Sequence, residues 1–288
     1  EEQFRQEFEA EFIGSSDSLI SPKTLRTLAF INPVEEFYEG ALRIYENPVK
    51  GHSYFIVVDT SRGQHLDSSA FTVIDTTEVP YKVVACYSSN TIAPLLYPDI
   101  IYESAKAYNE AFVLVEINDN GQQVADILHD DLEYENVIFT SMKGRSGQVI
   151  GGGFAATTQK GVRTTKQVKR IGCANMKSMI ESEKIMLHDF TLINELTTFC
   201  LKGSSYEAGP GAHDDHVMCL VLFSWATNQP FFKDITNTDF RERLRADRDL
   251  LIDESVMPFG ILDDGHEEED TVVVYEPWDG SDQDWFTS

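Results

Sequence analysis

The stretch FIVVDTSRG, residues 55–63, runs through apolar, β-branched residues onto an aspartate, Asp59, and then into small polar residues and a glycine. An apolar run of this length with turn-forming residues behind it is the pattern of a buried strand, so the stretch predicts a strand that delivers a carboxylate at its edge. The runs ALRIY, SYFIVVD, AFTVIDTT and YKVVACYSS around it are punctuated by Gly, Pro, Asp and Ser, and predict an antiparallel meander. Beyond residue 90 the pattern alternates. Helix candidates (APLLYPDIIYESAKAYNE, GQQVADILHDDL, TTKQVKRIGCANMKSMIESE, DFTLINELTTFCLKG and HDDHVMCLVLFSWATNQ) lie between short apolar strands (AFVLVEIN, NVIFT, KIMLH). Alternation of this kind favours an α/β layered fold with a mixed central sheet flanked by helices. The Gly-rich piece SMKGRSGQVIGGGFAATTQKG reads as a flexible hairpin or long loop.

Composition bounds the rest. At 288 residues and 42% hydrophobic content the chain can build a sizeable core. No run of 18 apolar residues and no basic-then-apolar leader occurs, so the expectation is a soluble, non-exported chain with no membrane partner. The four cysteines, Cys86, Cys173, Cys200 and Cys219, form no CxxC pair and read as reduced, half-buried thiols. The formal charge of -25 is unevenly spread. Residues 253–288 hold twelve Asp or Glu and no Lys or Arg, and read as a solvated acidic tail. Residues 141–180 hold eight cations, Lys143, Arg145, Lys160, Arg163, Lys166, Lys169, Arg170 and Lys177, and no acid. In so acidic a chain that block points to phosphate-backbone contact, which needs no reading of bases.

A second carboxylate, Glu116, ends the apolar strand VLVEIN, and a pair, Asp214 and Asp215, opens an apolar helix. Taken singly these are a turn residue, a costly buried acid and a helix N-cap. Taken in order they describe three carboxylates brought together by two strands and a helix. Such a cluster repels itself unless a cation neutralises it, and oxygen-only ligands select Mg²⁺ or Mn²⁺. His213 and His216, without a cysteine partner, make a poor zinc site.

The residues GALRIYENPVKGHSYFIVVDTSRGQHLDSSAFTVID, VLVEIN and YEAGPGAHDDHVMCLVLFSWA closely resemble the C-terminal nuclease part of the large terminase subunit of tailed phages, in particular the T-even type. The resemblance spans residues 1–230. It implies a ribonuclease-H-like fold, related to RuvC-type resolvases and integrases, and metal-dependent cutting of concatemeric double-stranded DNA during genome packaging in the host cytoplasm. Matched motif to motif, it implies that Asp59, Glu116 and Asp215 form the catalytic triad on one or two Mg²⁺ or Mn²⁺ ions, with Asp214 or Asp67 assisting. The partners it implies are the portal protein, the small terminase subunit and an N-terminal ATPase motor. No GxxxxGK[ST] loop occurs. Residues 1–22, with Phe4, Phe8 and Phe12 at helical spacing, are therefore expected to be the remnant joining that motor, residues 23–230 the nuclease domain and residues 231–288 the acidic tail. Competing readings are a sugar-kinase or actin-like ATPase, a RuvC-like resolvase and a non-catalytic module that docks on the portal.

Overall fold

The computed structural model describes residues 18–60, 68–118, 120–143, 147–151 and 158–235. The Phe4, Phe8, Phe12 helix, Asp67, Arg145 and the acidic tail, expected from the sequence, lie outside the described residues.

The strands are β1 (Glu35–Phe37), β2 (Leu42–Ile44), β3 (Tyr54–Asp59), β4 (Ser69–Asp75), β5 (Tyr81–Ser89), β6 (Phe112–Val115), β7 (Phe139–Met142), β8 (Gln148–Ile150), β9 (Thr158–Lys160), β10 (Ile185–Met186), β11 (Phe199–Lys202) and β12 (Ser205–Ala208). The helices are α1 (Pro22–Leu25), α2 (Tyr97–Ala107), α3 (Gly121–Asp126), which runs on into a π-helical turn at Ile127–Asp131, α4 (Lys166–Glu181), α5 (Phe190–Thr198), α6 (Asp215–Ala226) and α7 (Pro230–Ile235). None of these helices is long and apolar enough to cross a membrane.

The main sheet has the order β1-β2-β5-β4-β3-β6, with β10 paired in parallel to β5. The antiparallel meander β3-β4-β5 is as expected, and β6 joins β3 in parallel, which makes the sheet mixed. Strands β3 and β4 are apolar along almost their whole length because both faces are covered. On one face lies α6, whose residues from His216 to Ala226 are all buried, as suits a helix that is apolar all round. Phe55 of β3 meets Phe223 of α6 edge-on at 5.9 Å, and Phe232 of α7 closes the same cluster. Leu19 and Ile20 contribute to this core from the start of the described chain. The opposite face carries stacked Phe71, Tyr87 and Tyr97.

The Gly-rich piece, expected as a hairpin or long loop, contains a hairpin, β7 pairing antiparallel with β8, and β9 pairs with the other edge of β7. That sheet continues from β6 through single bridges at Val137 and Val162. The helix expected through residues 189–203 stops at Thr198, and its last residues become β11, paired with β12 across the two-residue turn Gly203, Ser204. Gly203 takes φ +66°, the left-handed geometry that such a tight hairpin requires. Phe199 and Cys200 are good strand formers, and they found a partner strand that a local pattern does not reveal.

Candidate active site

Register decides the first half of the site. Val58 pairs with Val115 across the parallel β3 and β6, and the next step is closed by the Glu116 amide donating to the Val58 carbonyl at 2.8 Å. Asp59 and Glu116 are thus neighbours at the carboxyl ends of adjacent strands, on the sheet face where Phe55, Val57 and Leu114 meet α6. The two side chains are hydrogen-bonded to each other. Asn118 Nδ2 donates to Glu116 Oε1 at 2.7 Å and fixes that carboxyl, while Thr60 Oγ1 donates to the Glu116 carbonyl at 3.4 Å. Gly121 begins α3 so close behind that a Cβ there would stand 1.7 Å from the Glu116 carbonyl oxygen.

The second half comes from α6. Asp214 is the N-cap and Asp215 the first helical residue. Asp215 Oδ2 accepts from the Ser68 amide at 3.3 Å, just ahead of β4, so Asp59 has Glu116 on its β6 side and Asp215 on its β4 side. Asp214 does not cap its own helix; its Oδ2 accepts from the Ala208 amide at the end of β12, at 3.2 Å. The Val217 amide donates instead to Glu195 Oε2 of α5 at 3.0 Å. Glu195 is a residue that the sequence motifs do not single out. Its signal was an acid set between Leu192, Leu196 and Phe199 on the buried stripe of an otherwise apolar helix. Behind it, Asp189 is fully buried, caps α5 through the Leu192 amide and accepts from Arg43 Nε at 2.7 Å and the Tyr45 hydroxyl at 2.6 Å. Arg43 Nη2 also reaches His216 Nε2 at 3.3 Å.

The electrostatics follow from this crowding. Asp59 as a residue is partly exposed, but its carboxyl is enclosed. Its pKa is driven well above the ordinary aspartate range, first by that burial, then by Glu116 through charge and hydrogen bond, then by Asp215 and Asp214. Burial lifts Glu195 to about 9, with the Val217 amide opposing and Asp215 reinforcing the shift. His216 is pushed down to about 4 by burial, Asp189 pulling the other way. It is a neutral structural histidine held by Arg43.

Among the described residues, no three His, Cys, Asp or Glu side chains stand ready-made around an ion position. The donor set nonetheless fits a hard divalent cation, because every converging atom is a carboxyl oxygen.

The candidate DNA contacts fare unequally. Lys143, Arg163, Lys166 and Arg170 are exposed. Arg163 follows Val162, the bridge partner of Glu116, and its backbone is clamped on both sides by Gln148. Lys166, at the first position of α4, stands against the helix dipole with no acid in that turn. Lys160, by contrast, is engaged by Asp126 at 3.0 Å and by Asp130, and Lys169 lies over the Phe199 ring at 5.7 Å.

Comparison with known proteins agrees with this architecture. A family model described as the terminase RNaseH-like domain matches residues 56–223, which include Asp59, Glu116, Asp214 and Asp215. The structure is similar to the large terminase nuclease of thermophilic phage G20c with bound magnesium, at TM-score 0.56 and 20% identity over 73% of this chain and 97% of that one. The same phage nuclease with bound cobalt gives TM-score 0.55 at 20% identity, over 73% and 97% of the two chains. The Thermus phage P74-26 large terminase nuclease domain gives 0.52 at 20% identity, over 72% and 93%. At this identity the structural likeness speaks for the fold, and the family match covers more than half of the sequence: the chain belongs to the terminase RNaseH-like domain family.

Proposed function

We propose that the chain is a metal-dependent endonuclease that cuts concatemeric double-stranded phage DNA during genome packaging, with Asp59, Glu116 and Asp215 as its catalytic carboxylates. The observation that carries this reading is the crowding of acids on Asp59, which burial and its carboxyl neighbours hold far from its ordinary titration. Divalent metal use is supported by the magnesium- and cobalt-bound relatives, and the oxygen-only donor set favours Mg²⁺ or Mn²⁺. When bound, a pair of such ions would activate water for attack on phosphorus and stabilise the leaving oxygen.

The chain's own residues would do the positioning. Asp59, between Glu116 and Asp215, is the carboxylate able to serve both sides of the site, and would hold a divalent cation in its ionised form. Asn118 holds one Glu116 oxygen and leaves the other to the ligand. Asp214 and Asp67 are the assisting acids. Lys143, Arg145, Arg163, Lys166 and Arg170 would take the phosphate backbone, joined by Lys160 and Lys169 where DNA displaces their present partners. Because none of these contacts reads a base, cutting would show little sequence preference. In the full-length protein an N-terminal ATPase would feed the site, in the host cytoplasm, together with portal and small terminase subunit.

The test is nicking of supercoiled plasmid by the purified chain with Mn²⁺ or Mg²⁺. The parent should nick and linearise DNA, EDTA should stop it, and Asp59→Ala should be inert while keeping its circular dichroism. Undiminished cutting by Asp59→Ala would overturn the assignment.

A further inference from the structure

We infer that Glu195 is a positioning residue that sets Asp215, and Asp214 with it, by capping the α6 N-terminus from a neighbouring helix. The inference rests on reading the acid cluster as the cutting site.

A helix start leaves amides at its first turn that need acceptors, and the usual acceptor is the side chain of the N-cap residue itself, taking the N2 or N3 amide. At α6 the N-cap is Asp214, among the residue types that do this best. Its carboxylate is turned to the Ala208 amide instead, and Glu195, 22 residues before Val217, takes the N3 amide of Val217. A single local cap has been exchanged for one tie 22 residues away and one six residues away. The exchange has a cost, because Glu195 is 6% exposed and sits among Leu192, Ile193 and Leu196, where a leucine would pack without desolvating a carboxyl. The consequence is that Asp215 is left to the Ser68 amide and Asp214 to the Ala208 amide, while the backbone that carries them is held from behind through Val217.

The hold is also anchored. Asp189 caps the start of α5, three residues before the Leu192 amide it accepts, and is gripped by Arg43 and Tyr45. Arg43 in turn reaches His216, so the first turn of α6 is tied to β2 directly and through α5. Displacing a catalytic group by about 1 Å can cost 10²-fold in rate, which is the scale such a brace controls.

The experiment uses the full chain as parent, Glu195→Ala, Glu195→Gln and, as a control for lost α5 packing, Ile193→Ala. Amide exchange at Val217 is measured with EDTA, and plasmid nicking is titrated with Mn²⁺ and with DNA. Glu195→Ala should exchange that amide at least tenfold faster. It should also raise the Mn²⁺ concentration for half-maximal cutting on the order of tenfold, the range seen when a ligand's support is removed, with KM for DNA unchanged. Glu195→Gln keeps an acceptor oxygen and should stay within about threefold of the parent. Ile193→Ala should melt earlier and keep the parent's Mn²⁺ requirement. Unaltered exchange in Glu195→Ala would refute the cap. A parental Mn²⁺ requirement in Glu195→Ala, or an equal rise in Ile193→Ala, would refute the positioning role. A parent that cuts nothing would instead bring down the nuclease reading.

Discussion

Replacing Gly121 by alanine asks whether the backbone of Glu116 must stay where it is. The added Cβ would lie 1.7 Å from the Glu116 carbonyl oxygen, 2.7 Å from its carbon and 2.9 Å from Thr60 Oγ1, whereas ordinary contact begins at 3.4 Å. The two backbones must therefore part by about 1.7 Å, the difference between 3.4 and 1.7, and neither is a flexible side-chain end that could swing aside. Overpacking of this kind costs about 1–3 kcal/mol, which a domain of ordinary stability survives with more than nine molecules in ten folded. Displacing Glu116 from Asp59 by more than 1 Å is a different matter, and cutting should fall by about 10²-fold or more. Urea unfolding and Mn²⁺-dependent plasmid nicking on the same preparation separate the two effects. Parental nicking in a folded Gly121→Ala protein would show that Glu116 tolerates the shift and that its register with Asp59 does not set the rate.

Without metal, stability should fall as pH rises from 5 to 8. The raised Asp59 and Glu195 carboxyls keep their protons in the folded state where the unfolded chain has lost them, so their contribution is fully present below about 4 and is lost as pH climbs, for Glu195 through about 9. Asp189, held below the ordinary range because burial is outweighed by the charge and hydrogen bond of Arg43 and the hydrogen bond of Tyr45, acts oppositely but only at the acid end. Urea titrations in EDTA should show Glu195→Gln gaining up to about 4–5 kcal/mol over the parent at pH 8 and little at pH 4, because each pH unit above the unfolded glutamate's titration costs the folded, protonated form about 1.4 kcal/mol. Equal gains at both pH values would contradict a protonated Glu195. The triple variant of Lys143, Arg163 and Lys166 to Ala should bind DNA more weakly and flatten the log affinity against log salt slope by roughly 0.9 per lost phosphate contact, a slope that an uninvolved surface would leave unchanged. Lys166→Glu should stabilise α4 by about 0.3–1 kcal/mol through the helix dipole while impairing DNA binding; a gain in both would remove Lys166 from the DNA surface.

Much of the fold and of the acid cluster was legible because the signals are local. An apolar β-branched run, the turn residues after Asp59 and the opening of an apolar helix at Asp214 and Asp215 are each properties of about ten consecutive residues, and periodicity reads them directly. The ordered set of motifs then pointed to the family. What periodicity cannot read is which distant residues meet. Parallel register between β3 and β6 made Asp59 and Glu116 neighbours across 57 positions of sequence, counted from 59 to 116. Pairing with β12 turned the end of the helix expected through residues 189–203 into β11, and Lys160 of the cationic block meets Asp126 and Asp130, acids that the charge pattern along residues 141–180 does not contain. The brace behind the cluster was hidden most fully. Glu195, Asp189, Arg43 and His216 come from three separate segments, and a buried polar network exists only where tertiary packing brings donor to acceptor. Chain-local chemistry suffices to say which elements end in carboxylates, since the apolar run and the acid that closes it are adjacent in the chain. That those ends share one site, and what holds them there, depends on contacts between elements far apart in the chain, and so was settled only by the packing of β3, β6, α5 and α6.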